Sequence, residues 1–186
     1  MIRLALAGAG LATLGGPAAA VAAGAPDADL SYLRVLVAAE LLKADFSSAA
    51  LRSGKLGLRS AAVIERVRVD DGAHYAGLAA LLSGAGQTPA TADDIDFAYP
   101  KGSFASQRSI LGLGWKLGTL TLGAYLGAVE NVLTAYLRLP LGQIAANEAQ
   151  QLSALAALVG SPVIGGPFAG SLPIELVSSA LDEYES

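Results

Sequence analysis

The single histidine of the chain, His74, stands three residues after Asp71 in a segment that is otherwise largely apolar. Residues three apart lie on the same face of an α-helix. An imidazole and a carboxylate placed in this way are suitable ligands for Fe(II), Mn(II) or Zn(II). The same two groups could instead form a charge-assisted hydrogen bond inside a protein core. The spacing therefore supports two interpretations, a metal site and a metal-free polar network.

Two further segments place polar residues on helix faces that should be buried. At a period of 3.6 residues, one apolar stripe carries Glu40, and a later stripe carries Glu148 and Gln151. Glu40 and Asp71 each lie about 13 residues, roughly 20 Å, from the predicted start of their helices. Glu148 reaches the same level if its helix begins one or two turns before Pro140. Three buried carboxylates need a cation, a proton or a hydrogen-bond partner to offset their desolvation.

Prolines, glycines and polar runs divide the chain into long segments of helical period. The predicted helices run from about Asp27 to Ser53, from about Leu58 to Ser83, from about Ser103 to at least Gly127, and from Pro140 to Val159. Residues 128–139 are ambiguous, because Pro140 favours a first helical turn or a kink. A short terminal helix follows near Pro173. The sequence thus predicts an all-α four-helix bundle over residues 27–186, with a long crossover, QTPATADDIDFAYPKG, between helices two and three.

The composition argues against several classes of site. The chain has no cysteine, which excludes disulfides, thiolate metal sites and cysteine nucleophiles. Its net charge of −4 and its lack of a basic cluster disfavour a nucleic-acid partner. The run GAGLATLGG is superficially like a dinucleotide-binding loop, but too few residues precede it to form a strand, so we expect no nucleotide. A Ser-His-Asp hydrolase is also unsupported, because His74 is predicted to lie inside the bundle.

The first 23 residues have the layout of a signal peptide. Arg3 is followed by an apolar run and then by small residues, with cleavage points near Ala22 or Ala23. We therefore expect export to the periplasm, the cell envelope or the exterior. A retained N-terminal anchor is the alternative interpretation. After removal of the leader we expect no stable membrane span.

Five segments in order resemble the exported bacterial ferritin-like domain family, which is related to the desiccation-related proteins. They are VLVAAELLKADF, DDGAHYAGLAALL, FASQRSILGLGWKLGTLTLGAYLGA, NEAQQLSAL and PFAGSLPIELVSSAL. The resemblance covers nearly all of the chain after the leader. It implies a bundle with a carboxylate-rich centre. In ferritin-like di-metal sites, two helices each supply a Glu and two others each supply Glu-x-x-His.

The chain departs from that ligand pattern at three positions. Asp71 stands where the family pattern has the longer Glu, Gln151 stands where a histidine would, and Gly118 falls at the position of the second bridging Glu. The ligands that remain are Glu40, Asp71, His74 and Glu148. This set comfortably supports one ion, with Gln151 behind the ligands or bonded to a water.

Two hypotheses of function follow from the degenerate ligand set. The first is binding of a single iron or manganese ion, with ferroxidase-like or peroxide-related chemistry weakened by the missing ligands and a role in stress response. The second is a metal-free structural or interaction protein of the cell envelope that retains the bundle. The sequence leaves the reaction and the oligomeric state open, a homo-oligomer included.

Overall fold

Residues 24–186, which the computed structural model describes, form five α-helices. They are α1 (Asp27–Arg52), α2 (Leu58–Gly84), α3 (Gln107–Asn131), α4 (Ala135–Val159) and α5 (Ile174–Asp182). In this part of the chain no strand forms, and the only β-type pairing is one isolated bridge between Phe97 and Glu185. The predicted all-α fold, with four long helices, a long crossover and a short terminal helix, is confirmed. The predicted leader, residues 1–23, lies outside the described residues.

The four long helices pack as two antiparallel pairs. α1 packs extensively against α2, and α3 packs extensively against α4, while α1 also contacts α3. The contact between α2 and α4 is much sparser. The short helix α5 lies against α1 and α3. The apolar stripes meet in one core that includes Leu33, Ile64, Leu78, Ile110 and Leu141, each 1% exposed or less. Polar residues on these stripes are consequently brought to the centre of the bundle.

The start of α4 is held by a residue from another helix. Thr134, at the start of α4, makes no side-chain capping bond. Instead the buried carboxylate of Asp29 in α1 accepts hydrogen bonds from the backbone N–H groups of Leu133 and Thr134, at 2.9 and 2.8 Å. A carboxylate at a helix N-terminus satisfies free N–H donors and complements the helix dipole. This contact fixes the height of α4 relative to α1.

One predicted helix boundary was wrong, and one that the sequence left open is now defined. α3 begins at Gln107, not near Ser103, because Ser106 and Ser109 form a capping box and the preceding residues form turns. α4 begins at Ala135, so Pro140 lies inside the helix, neither in its first turn nor at its start. Only one backbone hydrogen bond is lost there, because proline lacks the single N–H that would donate to the carbonyl four residues earlier. The ambiguous residues 128–139 are thus divided between the end of α3, a short break and the start of α4.

The crossover between α2 and α3 is tied to the chain end. The backbone N–H of Ala98 donates to the carbonyl of Tyr184 at 2.7 Å, and the backbone N–H of Ser186 donates to the carbonyl of Asp96 at 3.0 Å. The ring of Tyr99 packs on Phe104 and on the buried Tyr184, with centroids 5.1 and 6.1 Å apart. The crossover is therefore an ordered part of the fold.

Glycines of α3 permit close approach of the segment before α5. A Cβ at Gly127 would lie within van der Waals overlap of the Leu172 carbonyl, and the N–H of Leu172 donates to the Gly123 carbonyl at 2.9 Å. The small-residue stripe of α3 thus serves contacts within the fold. Among residues 24–186, no helix combines the length and the apolar character that crossing a membrane requires.

Candidate metal centre

Three of the four long helices bring their inward-facing polar residues together. α1 supplies Glu40, α2 supplies Asp71 and His74, and α4 supplies Glu148; one donor atom from each lies within 4.8 Å of those of the others. The three carboxylate residues are fully buried, and the His74 side chain is 11% exposed. The structure thus brings together the four residues that the sequence nominated. Whether they bind an ion stays a prediction.

One half of the cluster is centred on the imidazole. His74 Nδ1 lies 3.3 Å from Glu40 Oε1 and 3.2 Å from Glu148 Oε1, and neither contact has hydrogen-bond geometry. Glu40 Oε2 and Asp71 Oδ2 are also buried without a hydrogen-bond partner. Donors held at about 2.0–2.2 Å from one dication are about 3.0–3.4 Å from each other. The observed distances from His74 Nδ1 to the two glutamate oxygens therefore match the distance between two ligands of one metal ion.

The other half of the cluster is occupied by a lysine. The buried ammonium of Lys43, from α1, donates to Asp71 Oδ1 at 2.9 Å, to Glu148 Oε2 at 2.5 Å and to Gln151 Oε1 at 3.2 Å. These three acceptors use all three N–H donors of an ammonium group. Glu148 therefore faces Lys43 with one oxygen and His74 with the other.

Sequence analysis missed Lys43. Lysine is almost never fully buried unless it is paired, so a lysine on a helix is ordinarily assigned to the solvent face. The spacing of Lys43 from other residues of α1 nevertheless indicated a buried position. Lys43 lies three residues after Glu40 and seven after the buried Leu36, which places all three on one face of α1.

A tyrosine of α3 completes the contacts of Glu40. The Tyr125 hydroxyl donates to Glu40 Oε1 at 2.5 Å, and both residues are fully buried. Burial and the neighbouring carboxylate of Glu40 raise the pKa of Tyr125 far above its ordinary value, so the phenol stays protonated as a donor. Gly118, two turns earlier on α3, faces Leu152 and Leu155 of α4. The residue of α3 that reaches the cluster is consequently Tyr125.

The charges within the cluster influence one another strongly. Burial disfavours a charged imidazole, but the carboxylates of Glu148 and Glu40 outweigh it and raise the pKa of His74 to about 9. Burial, assisted by Glu40 and Glu148 and opposed by Lys43, raises the pKa of Asp71 to about 7. Burial acts in the same direction on Glu148, but Lys43 and His74 prevail and lower the pKa of that carboxyl. Without an ion, Lys43 and protonated His74 offset most of the carboxylate charge.

In the predicted metal-free network, the Asp71–His74 hydrogen bond was wrong, whereas Glu148 and Gln151 do belong to the observed polar network. Asp71 and His74 form no hydrogen bond with each other, because Lys43 binds the Asp71 carboxylate while His74 faces Glu40 and Glu148. Gln151 accepts from Lys43 and donates to Asn147 Oδ1 at 2.9 Å. Its amide therefore contacts the cluster through the ammonium and does not contact the histidine.

A cavity open to solvent lies at the sparse contact between α2 and α4. It has a volume of about 430 Å³ and its lining includes Arg59, Ala62, Asp70 and Gln151. Gln151 belongs to both the cavity wall and the Lys43 network. The cavity thus extends from the surface to one edge of the cluster.

Comparison with known proteins places this geometry in a family. Residues 28–161 match the sequence model of the family described as Ferritin-like domain. The match spans α1 to α4, including every residue of the cluster. No curated protein sequence matches the chain.

Proposed function

This chain belongs to the Ferritin-like domain family, and on that premise we propose that it binds one iron or manganese ion through Glu40, His74 and Glu148, with Asp71 beside them. The donor set is one imidazole nitrogen and carboxylate oxygens, a combination that both metals accept.

One observation carries the proposal. His74 Nδ1 and Glu148 Oε1 are buried, lack hydrogen-bond partners and lie 3.2 Å apart, with Glu40 Oε1 3.3 Å from the same nitrogen. Buried polar atoms without partners are uncommon in native proteins and call for an explanation such as an ion or a proton. A dication bonded to these atoms would satisfy them together.

The surrounding residues would orient these ligands. Tyr125 holds Glu40 by its short hydrogen bond, and Lys43 holds the far oxygen of Glu148. Such contacts fix the direction of ligating side chains and support metal affinity. A bound iron or manganese ion would supply one-electron redox chemistry. The fold around it excludes bulk water, since Glu40 and Glu148 are fully buried.

Metal content and melting temperature test the proposal on the full chain. After chelator treatment, anaerobic loading with Fe(II) or Mn(II) and removal of free metal, we expect one ion per chain by elemental analysis. At free Mn(II) of 100 times the dissociation constant, binding stabilises the fold by about 2.7 kcal/mol. For a chain of this length, the melting temperature should rise by about 5–10 °C.

Glu40→Gln is the decisive variant, because its amide oxygen can still accept the Tyr125 hydrogen bond while the ligand charge is lost. We expect it to fold, to retain almost no metal and to lose the thermal shift. Glu183→Gln, at an exposed position, is the matched control and should behave like the natural chain. A metal ratio indistinguishable from zero in the natural chain would overturn the proposal.

A second candidate function is a metal-free structural or interaction protein. The observation that favours it is Lys43, whose ammonium and the protonated His74 already offset most of the carboxylate charge. In that case the cluster serves only to hold α1, α2 and α4 in register. The two candidates separate in the loading experiment, because a metal-free network predicts no thermal shift with Fe(II) or Mn(II).

We also propose that the protein is exported to the periplasm, the cell envelope or the exterior. The support is the order of charge, apolar run and small residues in the first 23 positions. Determination of the N-terminal residue of the protein recovered from each cell fraction tests this. An N-terminus near residue 23 in the exported fraction is expected, and full-length protein confined to the cytoplasm contradicts it.

A further inference from the structure

The ammonium of Lys43 lies among oxygen atoms that could equally be the ligands of a metal ion. Its ammonium is surrounded by three oxygens, from Asp71, Glu148 and Gln151, and the side chain is 5% exposed. Two of these oxygens belong to carboxylates. Carboxylate and amide oxygens at this spacing are also ligands for a hard or borderline dication.

Glu148 connects this position to the imidazole half of the cluster. One of its oxygens contacts Lys43, and the other lies 3.2 Å from His74 Nδ1. A carboxylate that offers one oxygen to each of two positive centres acts as a bridge between them. The cluster is therefore organised around two neighbouring cation positions, one of which the chain fills with its own side chain.

We propose that Lys43 is the residue that limits the site to one divalent ion, because its ammonium fills the second cation position. This inference rests on the proposed function for the first ion. An ammonium and a dication cannot share the same oxygens, since both would need to lie within about 3 Å of them. Lys43 also supplies one positive charge where a second ion would supply two.

The electrostatic consequence is specific to Lys43. With its ammonium present, Asp71 and Glu148 are paired and have little affinity left for a second dication. With the ammonium removed, their carboxylates lose a buried partner, which is strongly destabilising unless another cation replaces it. A chain without Lys43 should therefore depend on bound metal for its stability and should have a free site in which to bind it.

The experiment compares the metal content of the natural chain with that of Lys43→Met, which keeps the apolar stem and removes the charge. After anaerobic Mn(II) loading, we expect one ion per natural chain and two per variant chain. Without metal, the variant should melt at a lower temperature than the natural chain, and Mn(II) should shift its melting temperature more. Lys55→Met, at an exposed position, is the matched control and should bind one ion.

The outcomes separate this inference from the proposed function. One ion in both natural chain and variant overturns the role of Lys43 while the proposed function stands. No ion in the natural chain overturns the proposed function, and an ion gained by the variant alone supports only the part of the inference that places the ammonium in a cation position. Two ions in the natural chain overturn the role of Lys43.

A measurement on the natural chain keeps the inference testable if Lys43→Met does not fold. Crystals soaked in Mn(II) should show one anomalous-scattering peak, beside His74 Nδ1, with Lys43 still on Glu148 Oε2. A second peak among Asp71, Glu148 and Gln151, with the lysine displaced, would overturn it.

Discussion

At the residue scale, the fully buried Tyr125 and the half-buried Tyr136 offer a comparison of two hydroxyl groups that are both shielded from solvent. The Tyr125 hydroxyl donates to the buried Glu40 carboxylate, whereas the buried Tyr136 hydroxyl has no hydrogen-bond partner. A hydrogen bond to a charged group contributes more than a neutral one, and a buried group left unpaired carries its full desolvation cost. The two hydroxyls should therefore differ sharply in their effect on stability.

We expect Tyr125→Phe to lower the free energy of unfolding by about 1.5–3 kcal/mol, because Glu40 loses the donor to its buried oxygen. Tyr136→Phe should not lower it and should raise it slightly, because it removes a buried hydroxyl that has no partner. Urea unfolding of metal-free protein, followed by circular dichroism, measures both. Equal effects of the two substitutions would show that the Tyr125 contact does not stabilise Glu40.

The acids and the histidine of the cluster could be predicted because each breaks an apolar stripe, and an unexplained polar residue on such a stripe is a conspicuous signal. Lys43 and Tyr125 could not be distinguished in this way. A lysine with a long apolar stem fits a helix surface as well as a core. Tyrosine is common in cores for its ring alone. Their roles depend on partners more than 25 residues away in the chain, which local periodicity does not report.

At the element scale, Asp29 links the first turn of α1 to the first turn of α4. Burial alone would raise the pKa of Asp29, but hydrogen bonds from Thr134 and Leu133 outweigh it and lower that pKa below its ordinary 3.8. A carboxyl group whose pKa is lower in the folded state stabilises the fold above its unfolded pKa. That stabilisation is lost as the pH falls through the folded pKa.

We expect Asp29→Asn to lower the free energy of unfolding at pH 7 by about 1–2 kcal/mol, because the amide offers one neutral acceptor in place of a charged cap. The difference from the natural chain should be constant down to about pH 4 and should shrink at lower pH, as Asp29 of the natural chain becomes protonated. Urea unfolding at a series of pH values measures it.

Asp27→Asn is the control for this prediction, since Asp27 lies in the same helical turn with its side chain 83% exposed. Its substitution should change stability by less than about 0.5 kcal/mol at neutral pH. A difference between Asp29→Asn and the natural chain that persists unchanged at pH 3 would contradict the assignment of the cap to an ionised carboxylate.

The bounds of α1 and α2 were predictable to within one residue, whereas the starts of α3 and α4 were not. Long periodic segments between glycines and prolines identify the elements. The start of α4 depended on Asp29, which is more than 100 residues earlier in the chain and caps the helix from outside. Because that cap is tertiary, the position of Pro140 within α4 followed from packing and not from local preference.

At the scale of the whole molecule, the two helix pairs meet unevenly. α1 and α3 pack together, whereas α2 and α4 face each other across the cavity that Ala62 and Gln151 help to line. The cluster lies behind Gln151, since that amide contacts the buried Lys43. Under the proposed function, we expect an ion to reach the cluster from solvent through this cavity.

We expect Ala62→Trp to slow metal uptake several-fold without changing the number of ions bound, because a larger side chain narrows the cavity far from the ligands. Stopped-flow mixing with Co(II), followed by visible absorbance, measures the rate. Ala76→Trp, exposed on α2 but outside the cavity lining, is the control. Uptake at the same rate in both variants would exclude this path.

The burial of Lys43 also makes it a natural reporter of bundle opening. The chain has four lysines, and Lys55, Lys101 and Lys116 are exposed while Lys43 has every donor engaged. Amine-acylating reagents should modify the three exposed side chains directly, but should reach Lys43 only when the helices separate transiently. The ratio of the acylation rate of Lys43 to that of the exposed lysines therefore reports how often the helices separate transiently. Mass spectrometry can measure this ratio without any engineered probe.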